Sequence, residues 1–312
     1  EREEFTFSPV NFGVVLHAVI REVCDEIKKN GESYYLISEE KRREMVKRSV
    51  AAITDIYQNS ILKDSSRNSF MIKRMEDLAD RTIWAMGEQL KCGDFVPFVF
   101  EHKFNMEVGD GDRKQLMSGT IDRVDICENG TDVYVRIIDY KTGKKDFNIV
   151  KTYYGIDIQL MVYMEAAMKL VAKMRPGKNV IPAGVFYYNI SDPIVSATTE
   201  SAEEIEDKIK GELRLKGMVN SDKDIAEKMD NTEGTSLNIP VSRKADGGFD
   251  SRRSKAMNTE QFNMLGRFVD VRAVDTADRI AGGDIRRSPY KDGQFSSCDR
   301  CPYGAVCGFS VD

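Results

Sequence analysis

Apolar residues recur at helical spacing near the start of the chain: Phe12, Val15, Leu16, Val19, Ile20, Val23 and Ile27 fall on one face. That stripe predicts a helix over 12–27 with one buried side, and His17 lies beside it. A second helix is predicted from Ser38, a suitable N-cap followed by Glu39 and Glu40, to about residue 62. A third is expected over 68–92. The period then changes to two. FVPFVFEHKFNMEV (95–108), LMSGTIDRVDICE (116–128) and DVYVRIIDYK (132–141) read as strands, and Asn129-Gly130 marks a hairpin between the last two. A helix over 150–172, a strand over 181–190 and a charged helix over 201–214 follow. A polar stretch (218–256) leads to a helix over 259–280, closed by Gly282-Gly283, and then to a tail holding Cys298, Cys301 and Cys307.

Composition narrows the picture. Of 312 residues, 41% are hydrophobic and 31% charged, the balance of a globular protein with a sizeable core. No apolar run approaches the roughly 18 residues a spanning helix needs, and the first residues lack a secretory pattern, so no membrane association and a cytoplasmic location are expected. Six cysteines, three of them crowded into ten residues, argue for metal ligation rather than a disulfide framework. A net charge of −5 argues against a protein that coats DNA through general basicity. Local basic clusters at 41–48, 252–255 and 286–287 are open to two readings, nucleic-acid contacts or solvated faces.

The hairpin carries the first chemistry. A two-residue Asn129-Gly130 turn places Ile137 opposite Asp122 and Asp139 opposite Thr120. One face then holds Val124, Ile126, Val133, Val135 and Ile137 and ends in Asp122, Asp139 and Lys141. Carboxylates on a core-facing side are strongly disfavoured unless paired or bound to a cation. At diagonal positions roughly 7–8 Å apart at the backbone, Asp122 and Asp139 can close on one divalent ion such as Mg²⁺ or Mn²⁺. Lys141 points the same way and can act on a water beside it, chemistry suited to phosphodiester hydrolysis. A buried salt-bridge cluster of the same three charges is the competing reading.

These residues resemble a known family. GTIDRVD (119–125) and IIDYKTG (137–143) form the Asp…Asp-x-Lys core of the PD-(D/E)xK nucleases in their RecB-like form. GVVLH places Gly13 and His17 in that group's Gly-x-x-x-His pattern, and QLMVY places Gln159 and Tyr163 in its Gln/Tyr pattern. C-x₂-C-x₅-C at Cys298, Cys301 and Cys307 matches its iron–sulfur tail. The motifs run from residue 13 to 307, and their order is most similar to the nuclease domain of AddAB-type helicase–nucleases. CRISPR-associated RecB-like exonucleases share them but typically lack so large an inserted region.

The resemblance implies an α/β fold with a restriction-endonuclease-like core, a central mixed β-sheet flanked by α-helices, and a C-terminal helical and loop extension. It implies a single nuclease domain over 1–312: core about 11–190, insertion and extension about 191–284, cysteine tail 285–312. It implies metal ligation by His17, Asp122, Asp139 and the carbonyl of Tyr140, with Lys141 catalytic and Gln159 and Tyr163 facing the cleft; Glu101 would be an auxiliary acid. The implied substrate is DNA, single-stranded and delivered by an AddA-like partner subunit, because no G-x-x-x-x-G-K-[ST] is present to bind ATP. A [4Fe-4S] cluster is implied for the full-length protein. Its fourth cysteine is expected upstream of Glu1, so the cluster is expected to be incomplete or absent in this chain; Cys24, Cys92 and Cys127 have simpler places in the core elements. A catalytically silent DNA-binding scaffold and a cysteine-centred redox module are the alternatives from other functional classes. Tyr153, Tyr154, Tyr187, Tyr188 and Trp84 are candidates for base stacking or core packing.

Overall fold

A computed structural model of the protein describes residues 9–57, 66–109, 114–196, 199–293 and 295–309. Three helices come first: α1 (Pro9–Lys29), α2 (Glu39–Tyr57) and α3 (Ser66–Lys91). The expected end of the second helix, 58–62, lies outside the described residues. Strands β1 (Val96–Val108), β2 (Gln115–Asn129) and β3 (Asp132–Lys141) follow as an antiparallel meander. The chain then crosses through α4 (Ile149–Tyr153) and α5 (Gln159–Met174) to β4 (Asn179–Asn189), which lies parallel to β3.

The single helix expected over 150–172 is thus two helices. Asn148 caps α4 through its side chain, Gly155 takes a left-handed φ of 74°, and the Thr152 hydroxyl donates to the carbonyls of Asn148 and Asp157. These local bonds replace the helical ladder. Next comes α6 (Ala202–Glu212), whose start is accounted for by a capping box at Ser201 and Glu204.

The region read from sequence as polar and irregular supplies two more strands, β5 (Lys216–Asn220) and β6 (Ala256–Met257), and a short α7 (Lys223–Met229). The sheet order is β1-β2-β3-β4-β5-β6, a mixed six-stranded sheet in an α/β fold. Gly217 explains why β5 carries so little apolar signal yet sits in the sheet: a Cβ there would stand 1.9 Å from the carbonyl oxygen of Val185. Close backbone approach at Gly217 joins burial of Val219 in the core to hold it. The chain ends with α8 (Thr259–Ala281), a small hairpin of β7 (Lys291–Asp292) and β8 (Phe295–Ser296), and α9 (Gly304–Cys307).

Each sheet face has its own core. On one side, Leu16, Val19, Ile20 and Val23 of α1 pack with residues of α2 and α3 against Cys127, Tyr134, Ile138 and Tyr140. On the other, Leu160, Met164 and Ala167 of α5 and Phe262 and Val269 of α8 cover Val124, Ile126, Val133, Val135 and Ile137. The alternation read from the hairpin therefore assigns every one of those residues to its observed face. Among the described residues, no helix is long and apolar enough to cross a membrane.

The hairpin register differs by one residue on each strand. Asn129 pairs with Asp132, leaving Gly130 (φ 60°) and Thr131 as the loop, so Val124 rather than Asp122 faces Ile137. Parity is unchanged, which is why the faces are as expected while the pairing is not.

Candidate active site

The β2–β3 ladder runs from Asn129↔Asp132 to Arg123↔Ile138 and stops there. Its next step would set Asp122 directly opposite Asp139, closer than the diagonal placement expected from sequence. Instead of strand pairing, the Tyr140 amide donates to Asp122 Oδ2 at 2.6 Å. Beyond this point β2 stays with β1 and β3 stays with β4, so the sheet forks. The fork is where the charges gather.

His17 reaches the fork from α1. Its Nδ1 lies 3.5 Å from Asp122 Oδ1 and 3.6 Å from Glu101 Oε1, and its ring meets the Tyr140 ring edge-on. Gly13, one turn earlier, rests against the Thr142 side chain. Glu101 has a φ of 47°, the one left-handed non-glycine among the described residues. Such a conformation is unfavourable by roughly 1–3 kcal/mol and persists where surrounding structure enforces it, often at functional sites. His17, Glu101 and Asp122 offer ligand atoms all within 4.8 Å of one another, the one such group among the described residues.

Asp139 is 2% exposed. Lys141 Nζ stands 2.5 Å from its Oδ2, an ion pair at the buried end of the site. Burial, then repulsion from Asp122, pushes the Asp139 carboxyl up to about 6 against the opposing pull of Lys141. Burial acts to lower the His17 pKa, but hydrogen bonds to Asp122 and Glu101 overcome it and raise the imidazole to about 10. A protonated imidazole thus stands among these carboxylates.

A polar chain leads outward from this cluster. Lys141 donates to Gln159 Oε1 at 3.0 Å, and Gln159 Nε2 donates to the Tyr163 hydroxyl at 2.9 Å. Tyr163 packs edge-on against Phe104, a contact that needs Gly119: a Cβ there would come within 2.9 Å of the Phe104 ring. The helix spacing of Gln159 and Tyr163 was the legible part; their bond to Lys141 is tertiary.

The family model described as PD-(D/E)XK nuclease superfamily matches residues 1–308. The chain belongs to the PD-(D/E)XK nuclease superfamily. Curated relatives, each named as a subunit of an ATP-dependent helicase/deoxyribonuclease, are similar along its whole length. Those of Thermoanaerobacter sp. (strain X514) and Caldanaerobacter subterraneus subsp. tengcongensis are 32% and 34% identical over 323 residues. That of Clostridium acetobutylicum is 33% identical over 321. Each comparison covers 100% of this chain and 28% of the relative, so the chain spans just over a quarter of the length of the relatives it matches.

Within this PD-(D/E)XK domain the structure adds residues that no motif disclosed. Tyr187, level with Asp139 on β4, donates to Asp157 Oδ1 at 2.7 Å, and Lys145 Nζ lies 3.1 Å from Asp157 Oδ2. Lys141 and Lys145 both sit over the Tyr187 ring. On the opposite sheet face, wholly buried Arg123 and Arg136 share Asp125, with Arg136 also stacked on Phe95. Burial acts to raise the Asp125 pKa, but the two guanidiniums more than offset it and hold the carboxyl low. This triad ties β2 to β3 just before the fork.

The cysteine tail forms a separate feature. Cys298 lies in a 3₁₀ turn capped by Ser296, Cys301 follows it, and Cys307 ends α9, its carbonyl accepting from Arg287. Cys24 and Cys127 are buried in the core beneath α1. The basic clusters are largely paired with acids: Arg42 with Asp80, Arg48 with Glu26, Lys255 with Asp146 and Arg286 with Asp284.

Proposed function

We infer that this domain is a divalent-cation-dependent deoxyribonuclease, an exonuclease that hydrolyses phosphodiester bonds in DNA. The observation that carries the reading is the convergence of His17, Glu101 and Asp122, with ligand atoms within 4.8 Å of one another, beside the buried Asp139–Lys141 ion pair at the fork. Hard oxygen donors with one imidazole, clustered beside a buried second acid, fit a small hard cation. His17, Asp122, Asp139 and the Tyr140 carbonyl would hold Mg²⁺ or Mn²⁺, with Glu101 alongside, and the bound ion would supply Lewis acidity and a lowered water pKa.

The chain's own residues have distinct tasks. Hydrolysis forms a bond from water oxygen to phosphorus, breaks the bond to one sugar oxygen, and delivers a proton to that leaving oxygen. Lys141, fixed between Asp139 and Gln159, sets an ammonium where the attacking water and phosphate charge must meet. Gln159 orients Lys141, and Tyr163 orients Gln159 from the cleft wall. The Tyr140 amide holds Asp122 in place as strands diverge.

The relatives' name supports placing the domain in a helicase–nuclease that processes double-strand breaks for recombinational repair in the cytoplasm, with an AddA-like motor subunit as partner. On the same reading, 1–312 is one nuclease domain, and Cys298, Cys301 and Cys307 are three thiolate ligands for a [4Fe-4S] cluster. Digestion of end-labelled single-stranded DNA tests the central claim: wild type should cut with Mg²⁺ or Mn²⁺ and not with a chelator, and Asp139→Ala should not cut. Cleavage by Asp139→Ala at the wild-type rate would refute it.

A further inference from the structure

Of the four tyrosines read as candidates for stacking, Tyr187 and Tyr188 are buried in the core, whereas Tyr153 and Tyr154 on and after α4 are 57% and 52% exposed. They do not stand alone. Tyr153 stacks flat on Phe268 of α8, with centroids 5.3 Å apart and planes within 5°, so its inner face is propped and its outer side is open. Tyr154 meets Tyr153 edge-on and reaches Tyr290, which in turn neighbours Phe295 of β8. Lys151 Nζ lies 4.6 Å from the Phe295 ring centroid. Three segments distant in sequence, 153–154, 268 and 290–295, thus build one aromatic surface open to solvent.

Isolated exposed aromatics are unremarkable, but a propped cluster of rings is unfavourable to expose and points to a partner. The charge nearby is specific. Lys151, whose Nζ sits over the Phe295 ring, has no carboxylate partner among the described residues, in contrast to the paired basic clusters elsewhere. The surface is also fastened to the fork. Asp157, which closes the loop after α4 and accepts from Thr152 through its carbonyl, binds Tyr187 and Lys145, and these flank Lys141.

We propose that Tyr153 and Tyr154, with Lys151, form a base-stacking ledge that holds single-stranded DNA beside the forked site. Ring faces accept any unstacked base, and Lys151 meets the phosphates; a duplex, its bases already stacked, offers neither ring face a partner. The ledge deepens the deoxyribonuclease reading and rests on it.

The test measures binding of a fluorescein-labelled oligodeoxythymidine by anisotropy in EDTA, where no cleavage occurs, using the full chain. Tyr153→Ala and Tyr154→Ala should each weaken binding roughly tenfold, Tyr→Phe at both positions should restore it, and Lys151→Ala should lower the salt dependence. Far-ultraviolet circular dichroism should show each variant folded. Unchanged affinity in folded Ala variants would overturn the ledge, as would an equal loss of affinity for duplex DNA of the same length. So would retention of DNA affinity with loss of binding to a motor subunit, which would make the surface a protein interface. Cleavage assays with Asp139→Ala are separate: a ledge that fails while Asp139-dependent cleavage persists leaves the nuclease reading standing, and binding without any cleavage does the reverse.

Discussion

The amide of Tyr140 donates to the Asp122 carboxylate at 2.6 Å, the position where strand pairing between β2 and β3 gives way. One oxygen of Asp122 thereby satisfies the backbone while the other faces His17. Asp122→Asn can keep the amide bond but loses the charge. It should fold normally, lose cation-dependent cleavage, and lose the rise in melting temperature that Mg²⁺ or Mn²⁺ gives the wild type. Asp122→Leu leaves a buried N–H unpaired and should also lower stability by about 1–3 kcal/mol, read by urea unfolding.

Lys141 is held at both ends, by Asp139 and by Gln159. Removing its charge in Lys141→Met should lower the cleavage rate by roughly 10²–10³-fold, the usual scale for a preorganised electrostatic contact. Gln159→Leu acts only through the lysine's position, so a smaller loss, about tenfold, is expected in single-turnover cleavage. Equal losses in the two variants would contradict this ordering.

Two buried acids should behave oppositely in stability. Asp125 is paired with two buried guanidiniums, and Asp125→Ala strands both; about 3–5 kcal/mol of destabilisation is expected. Asp139 is buried beside another acid, and its carboxyl is raised to about 6. A raised acid stabilises the fold fully below its unfolded pKa and loses that contribution as pH rises through the folded value. In cation-free buffer at pH 7–8, Asp139→Asn should therefore be roughly 1 kcal/mol more stable than wild type while failing to cut DNA. Denaturant melts of the two variants side by side decide this.

A second carboxyl pair lies far from the fork, between α5 and α8, where Asp270 and Glu165 line a cavity of about 430 Å³ with Met161, Met164, Met168 and Phe262. Burial, then the hydrogen bond and repulsion from Glu165, pushes Asp270 up to about 7. Its contribution should be present near pH 4 and lost as pH rises through 7. Asp270→Asn should be more stable than wild type at pH 8, by roughly 1 kcal/mol because solvent screens a half-exposed pair, and the difference should vanish near pH 4.

The sequence by itself determined which residues lie on which face of the central hairpin, because strand alternation has a period of two and survives a shift in register. Periodicity predicted the elements that carry His17, Asp122, Asp139, Lys141, Gln159 and Tyr163, and the resemblance of the motifs to a known family singled those residues out. Only the tertiary structure decided that the hairpin loop is Gly130-Thr131, that the sheet forks at Asp122, and that Glu101 adopts a left-handed backbone to meet His17. Those features depend on contacts between distant elements, which no local pattern encodes. β5 was hidden for the same reason, since Gly217 contributes by having no side chain. The fate of the four tyrosines is the clearest case. Identical in kind along the chain, two became core and two became surface, according to whether the sheet or α4 carried them.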